Sequence, residues 1–307
     1  SSAKSHRARY DREMIMLDID GAFLKGSVDS RGRTFTLEAK LHRGKSRQLY
    51  SNGVRLKTAG ELAGILTTVL FCPEDLYLIR EGAAARRKFL DLAICQLRPR
   101  YAQALGEYNR LYEHKTRILR DWPENPSLLQ TLDDFSLRMA QTGALVVHYR
   151  AHFVKRLQET APPIHRDFSG GREKLSLRYE TVSTVTDPLA PPRTILEEIL
   201  AHQERHRQAE LDARQCLTGP HKDDLAVELD GRSAKTYGSQ GQTRTAALSL
   251  KLAQREIFFQ ETEEYPVLLL DDVLSELDAK RQSFVLNHIQ GGQIFITCCE
   301  EEKLEGL

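Results

Sequence analysis

Val267-Leu268-Leu269-Leu270-Asp271-Asp272 narrows the fold more than any other stretch of this chain. Four consecutive apolar residues do not alternate between a wet and a dry side. They fit a strand buried on both faces, as in a parallel sheet covered by helices. Sheets of that kind bind ligands at the carboxyl ends of their strands. Two acids stand at this end. Asp271 is suited to hold Mg2+, a hard cation that prefers oxygen ligands. Asp272 is suited to polarise an attacking water as a general base. By itself the motif is common, because many strands end in acids.

Upstream, Gly238-Ser239-Gln240-Gly241-Gln242 opens an Ala- and Leu-rich stretch, residues 243–260, that reads as a helix. Ser239 and Gln242 have capping-box spacing. Free amides and the helix dipole make such an end an anion site, and Gly241 lets a phosphate come close to the backbone. An ordinary capped helix after a glycine turn fits the same residues taken alone. Downstream of the acids come Ser275-Glu276-Leu277-Asp278, a helix over 279–290, a Gly291-Gly292 stop and a strand over 293–297.

The rest of the chain brackets a helical insert with strands. Residues 12–57 read as strands, with period-two alternation over 34–41 and a hairpin turn at Asn52-Gly53. A short helix over 59–65 precedes a buried strand over 66–71, which ends at Pro73-Glu74-Asp75. Leu90, Ile94, Leu97, Tyr101, Leu105, Tyr108, Tyr112 and Leu119 line one face of a long helix interrupted near Pro99. A second stripe runs from Leu128 to Leu157, and Ala161-Pro162-Pro163 is expected to close an antiparallel helical hairpin. Aromatics within these stripes read as packing residues. A strand over 175–179, a third helix over 194–217, a turn at Gly219-Pro220-His221-Lys222-Asp223-Asp224, a strand over 225–229 and a hairpin at Asp230-Gly231 follow. His202 and His206 stand at i and i+4, but no third ligand completes a metal site, so solvated helix residues are expected.

Composition limits the function classes. At 307 residues, with 40% hydrophobic and 28% charged, the chain can build a packed core. Its apolar runs are too short to span a bilayer, and the first twelve residues have no apolar centre of a signal peptide. Cys72, Cys95, Cys216 and the vicinal Cys298-Cys299 form no Cys-x-x-Cys pair, which fits reduced thiols in a cytoplasmic protein. A net charge of +1 does not announce a nucleic-acid binder. Local basic clusters (Lys4, His6, Arg7 and Arg9; Arg43, Lys45 and Arg47; Arg86, Arg87 and Lys88) read as solvated surface unless charge is segregated on one face.

Taken together, the helix start, the acid-tipped strand, the Ser-Glu-Leu-Asp turn and the final helix and strand resemble the core of ABC-type ATPases. The resemblance sharpens to the RecF family of bacterial recombination mediators. It is carried in order by Ala3-Lys4-Ser5-His6-Arg7, Pro73-Glu74-Asp75-Leu76, Arg86-Arg87-Lys88-Phe89-Leu90-Asp91, Gly219-Pro220-His221-Lys222-Asp223-Asp224-Leu225, Gly238-Ser239-Gln240-Gly241-Gln242-Thr243-Arg244-Thr245 and residues 268–278. It implies an α/β ABC-type head: an ATPase lobe from residues 1–80 and 262–307, and a largely helical lobe from 81–261 containing the helical hairpin. Ser239, Gly241 and Gln242 would be the signature motif and Asp271 and Asp272 the Walker B acids. Ser275 and Asp278 would belong to the D-loop, Thr297 would take the switch position, and Glu74 and Asp75 would stand at a Q-loop-like turn near Mg2+ or the lobe interface. Members usually carry a glutamate where Asp272 stands and a histidine near Thr297. The shorter acid and the Cys298-Cys299 run point away from transporter subunits and toward slow hydrolysis.

The resemblance also implies ATP and Mg2+ as ligands, a cytoplasmic, nucleoid-associated location and no membrane partner. It implies an ATP-dependent homodimer that clamps double-stranded DNA at gaps and cooperates with RecR and RecO to load RecA. Arg86 and Arg87, ahead of Lys4 and Arg7, are the expected phosphate contacts, with salt-sensitive binding. A Gly-x-x-x-x-Gly-Lys-Ser/Thr loop is missing. Gly44-Lys45-Ser46 has Ala39 where the first glycine belongs and leads into a hairpin. The family's loop lies upstream of Ala3, so an N-terminally truncated lobe with an exposed sheet edge is expected, one that binds ATP poorly by itself. Rival readings are an SMC- or Rad50-like structural clamp, which needs a far longer coiled coil, and a transporter subunit, which needs the switch histidine.

Overall fold

The computed structural model describes residues 8, 10–62, 64–181 and 185–297. The first four strands, β1 (Gly21–Ser30), β2 (Arg33–His42), β3 (Gln48–Ser51) and β4 (Val54–Arg55), form an antiparallel meander. Its last turn places Asn52 at φ 49° and Gly53 at φ 78°, the left-handed pair that a tight hairpin requires. Gly44-Lys45-Ser46 lies in the turn between β2 and β3 with no helix after it, so it is not a phosphate loop.

β5 (Thr68–Phe71) then enters a second sheet, and a one-turn helix at Pro73–Tyr77 follows. Helices α1 (Ala83–Leu97) and α2 (Pro99–Asp121) meet at Arg98, where Pro99 cannot continue the ladder. α3 (Leu129–Ser169) runs antiparallel to α2: Leu119 packs near Leu132, Glu107 pairs with Arg138 and Tyr101 reaches Arg150. The helix does not stop at Pro162-Pro163, contrary to the sequence expectation; both lie inside it. Ala161, His165 and Phe168 continue its buried stripe, and that burial offsets the roughly 3 kcal/mol an interior proline costs.

The chain continues through β6 (Leu175–Glu180), α4 (Pro192–Ala213), β7 (Asp224–Leu229), β8 (Arg232–Ser233) and α5 (Ala234–Tyr237). It ends with α6 (Gln240–Thr262), β9 (Val267–Asp271), α7 (Ala279–His288) and β10 (Ile294–Thr297). β6, β7 and β8 form an antiparallel sheet; β5, β9 and β10 form a parallel one with β9 in the middle. In β9, Leu268 and Leu270 are fully buried, whereas Val267 and Leu269 are only half-buried. One face of this strand is therefore sealed and the other partly open. β10 is an edge strand and leaves Phe295 exposed.

One continuous core joins the parallel sheet (Val69, Phe71, Leu268, Leu270) to α1, α3 and α6. A smaller cluster, Ile118, Leu119, Leu132, Leu211 and Cys216, closes the far end of the hairpin. Tyr101 and Tyr108 are buried, as packing residues should be. His202 is also buried, stacked on His206 with ring centroids 3.9 Å apart, so the expectation of a solvated pair fails for His202. Among the described residues no group of three or more His, Cys, Asp or Glu could hold a metal, and no helix is long and apolar enough to cross a membrane.

Polar groups inside the helical half converge on the Gly219–Asp224 segment. Arg150 forks onto Asp91 at 2.8 and 2.9 Å and donates to the Pro220 carbonyl at 2.7 Å. The Tyr179 hydroxyl donates to Asp223 at 2.5 Å. Gly219 sits at φ +129°, and a Cβ there would lie 2.4 Å from the Tyr108 hydroxyl oxygen, so only glycine fits. That hydroxyl lies 2.6 Å from His221 Nδ1. Burial pushes the His221 imidazole down to about 4, against the helpful Cys216 carbonyl and with the nearby Lys222 charge.

Between the ordinary histidine pKa of about 6.5 and the native value, the unfolded chain binds a proton that the folded chain refuses. Stability is therefore held above that window and lost as pH falls through it. His165 and His202, also lowered by burial, act in the same direction. In urea titrations from pH 7 to 4, His221→Gln should flatten the acid loss by on the order of 3 kcal/mol; an unchanged slope would show that His221 is not the group responsible.

Candidate nucleotide-binding face

The acid pair stands at the carboxyl edge of the parallel sheet. Asp271 is the last residue of β9, opposite Thr297 of β10. The Thr297 hydroxyl donates to Asp271 Oδ1 at 2.9 Å and accepts the Asp272 amide at 3.0 Å. Thr297 thus orients both acids from the end of β10. Asp272 adopts φ 53°, a left-handed conformation that aspartate tolerates better than most residues. Ser275 Oγ holds that turn through the Asp272 carbonyl at 2.6 Å and Asp272 Oδ1 at 3.0 Å. Buried Val273, Leu274 and Leu277 anchor the segment between the acids and Asp278. The oxygen donors gathered here, two carboxylates and a hydroxyl, suit a hard divalent cation.

The signature segment is built as its spacing predicts. Ser239 Oγ accepts the Gln242 amide at 3.2 Å, and Gln242 Oε1 accepts the Ser239 amide at 2.8 Å. This box leaves the amides of Gln240 and Gly241 as the first free donors of α6. Before them lies a cavity of about 530 Å³, lined by Ser239, Gly241, Gln242, Arg172, Lys280 and Arg281 among others. Neither Asp271 nor Asp272 lines it. The structure brings the acids together with the switch residue, and the signature together with Asp278, but keeps these two groups apart on one chain.

The D-loop joins them. Asp278 caps α7, accepting the Arg281 amide at 2.9 Å. Partial burial works against its charge, yet that amide and the Arg281 guanidinium hold its carboxyl below the usual range. Arg281 in turn donates to the Gly241 carbonyl at 3.0 Å and to Thr245 Oγ1 at 3.2 Å. A residue outside the motif set therefore fastens α7 to the signature helix. The Asp-x-x-Arg spacing at the start of α7 was its only sequence signal.

The Q-loop-like turn has a structural task at the junction. Asp75 accepts the Cys72 amide at 3.0 Å and pairs with Lys251 of α6 at 2.9 Å. Lys251 also donates to the Leu70 carbonyl at the end of β5. Burial and the adjacent Asp75 carboxylate push the Cys72 thiol up to about 12. Glu74 is exposed on the same turn. No sequence signal marked Lys251.

Of the expected phosphate contacts, Arg86 and Arg87 are engaged inside the protein. Arg86 is only 5% exposed. It forks onto Asp224 at 2.7 and 2.8 Å and donates to the carbonyls of Ile79 and Glu81. It is a buried strut, with four of its five N–H donors engaged inside the protein. Arg87, half-buried, donates to the Asp223 carbonyl at 2.7 Å. In the Arg43–Arg47 cluster, Arg47 pairs with Asp11 and Arg43 donates to backbone carbonyls. Lys4, Arg7 and the Cys298-Cys299 run lie outside the described residues.

No family model matches the chain. Curated relatives do. It is 38% identical over 305 residues to the DNA replication and repair protein RecF of Acetivibrio thermocellus, covering 99% of this chain and 82% of that protein. With RecF of Agathobacter rectalis it shares 38% identity over 299 residues, covering 97% and 79%. The chain belongs to the RecF family. A solved RecF of the RecFOR pathway, in its ATPrS form, superposes with a TM-score of 0.92 at 31% identity, over 100% of this chain and 82% of that one. The ATP form gives 0.88 over 97% and 80%. This RecF-family chain is thus a DNA repair protein with an ABC-type ATPase head fold.

Because Arg86 neutralises a carboxylate inside the RecF fold, Arg86→Ala should lower stability by roughly 3 kcal/mol, the cost of stranding its partner. Urea denaturation measures this. A loss below about 0.5 kcal/mol would mean that the strut is not needed.

Proposed function

We propose that this protein clamps double-stranded DNA at gaps through ATP-driven pairing of two heads, and cooperates with RecR and RecO to load RecA on single strands. The observation that carries this reading is the separation of two half-sites within one chain. The acids and Thr297 form one surface, and the signature cavity, which excludes both acids, forms another. A nucleotide needs both kinds of group, so a second copy is required to bring them together.

In this reading Asp271 holds Mg2+ beside Thr297, and Asp272 orients water. The free amides ahead of the Ser239–Gln242 box, with Gly241, face the phosphates carried by the other head. ATP, when bound, supplies the negative charge that draws the two half-sites together. Asp278 and Arg281 report closure from one half-site to the other, because Arg281 bonds both Asp278 of the D-loop and Gly241 of the signature. In this reading the lobes divide at residues 80 and 262, with the acid surface on the sheet lobe and the signature on the helical lobe.

The 307-residue chain contains no Gly-x-x-x-x-Gly-Lys-Ser/Thr loop. By itself it should therefore bind Mg-ATP no tighter than about 1 mM, roughly −4 kcal/mol. A chain extended at its N-terminus by a strand, such a loop and a helix should bind in the micromolar range and dimerise with ATP, and Asp271→Asn should abolish the dimer. Calorimetry and light scattering read both. Failure of the extended chain to bind ATP would end the ATPase reading.

A further inference from the structure

A groove whose lining includes neither acid remains without a task. Its volume is about 1080 Å³, between the turn after β4 and the first half of α2, and its lining includes Leu56, Thr58, Arg100, Gln103, Gly106 and Arg110. On α2, Arg100, Gln103, Gly106 and Arg110 follow at spacings of three, three and four, so they share one helix face. Arg100 and Arg110 are exposed, and neither has an ion-pair partner among the described residues. That sets them apart from their neighbours: Arg98 is held by Glu261, Arg138 by Glu107 and Arg150 by Asp91. Arg55 and Lys57, exposed and likewise unpaired among the described residues, flank the lining residue Leu56. The one acid in the lining, Glu61, is already engaged by the amides of Lys57 and Thr58.

We propose that this groove holds the phosphate backbone of double-stranded DNA, with Arg100 and Arg110 as its main contacts and Arg55 and Lys57 at its rim. The proposal rests on the reading of the chain as a DNA-clamping repair protein and gives that reading a surface. Ten residues of helix separate the two arginines by about 15 Å, the axial rise of about four base pairs at 3.4 Å each. The floor is low where Gly60, Ala102 and Gly106 line it, so a rod can lie close to the helix. Ser51, Thr58 and Gln103 offer neutral hydrogen bonds to phosphate and sugar oxygens. Among the described residues no aromatic side chain lines the groove. Single-strand binders stack bases on aromatics, so a duplex held by its backbone is the occupant that fits.

The test is fluorescence anisotropy of a labelled 25-base-pair duplex titrated with the 307-residue chain at several salt concentrations. Arg100→Gln/Arg110→Gln is compared with Arg193→Gln/Arg205→Gln, which removes the same charge from the exposed side of α4. The groove variant should bind at least about tenfold more weakly and lose about 1.8 from its log–log salt slope, two phosphate contacts at about 0.9 each. The α4 variant should keep the wild-type slope. Thermal midpoints should not move, since these arginines are exposed and unpaired.

Equal losses in both variants, or an unchanged slope in the groove variant, would overturn the groove while leaving the DNA-binding reading intact, because the wild type still binds. A wild type that binds no duplex would overturn the groove, whereas the clamp reading, which needs two ATP-paired heads, stands or falls with the extended chain. Binding of poly-glutamate, but not duplex, that the groove variant loses would make the occupant an acidic protein and overturn the proposal.

Discussion

Arg150 sits in the middle of α3 with 3% of its surface exposed, and much of the molecule is arranged to keep it charged there. Burial opposes that charge, yet Tyr101, Tyr179 and Asp91 around it hold the guanidinium well above its ordinary pKa. A buried cation left unpaired costs several kcal/mol, whereas a fully hydrogen-bonded one roughly breaks even. The geometry is therefore constrained. Asp91 must come from α1, Tyr101 from α2 and the Pro220 carbonyl from the turn before β7. One side chain on α3 thus sets the register of two other helices and a turn, which hydrophobic contact alone would specify loosely.

The same constraint reaches the candidate nucleotide face through a relay of buried ions. Asp223 and Asp224, just past the carbonyl that Arg150 uses, hold Tyr179, Arg87 and Arg86. Arg86 also takes the carbonyls of Ile79 and Glu81, which end the turn that begins at Pro73. That turn carries Asp75, whose partner Lys251 belongs to α6, the helix that starts at the signature. The Gly219–Asp224 motif is therefore a distribution point for polar contacts. Paired charges bridge its distance along the chain from the acids.

What could be read in the sequence was mostly local. The capping box needs only Ser239 and Gln242 three residues apart, and the Asn52-Gly53 turn needs only its own two residues. β9 was legible because an apolar run ending in acids has few other destinations, although Leu269 is half-buried and the strand is less enclosed than the run suggested. The failures were long-range. Pro162-Pro163 reads as a stop, but Phe168 packs on Phe284 of α7 at 4.0 Å between ring centroids, and that contact keeps α3 helical beyond the prolines. Arg86 looked like a free surface cation because nothing near it in sequence reveals Asp224. Arg281 and Lys251 were missed for the same reason: their partners lie 36 or more residues away.

The extension of α3 past its prolines bears on the site as well as on the fold. Phe168 and Ser169, which a break at Pro163 would have removed, line the signature cavity with Arg172 and Glu173 just beyond the helix. Phe168 holds α7 in place from one side, and Arg281 holds it from the other through Gly241 and Thr245. α7 is thus fixed by the same helix that carries Arg150 and by the helix that presents the signature. A displacement of the D-loop must disturb one of these two contacts. Arg281 is the weaker hold: its bonds to α6 are two, at the surface of an open cavity, while the Phe168–Phe284 contact lies against the main core. Under the proposed pairing of two heads, motion of residues 275–278 would therefore pivot on the aromatic pair and release or remake the Arg281 bonds at Gly241, the residue proposed to face the phosphates.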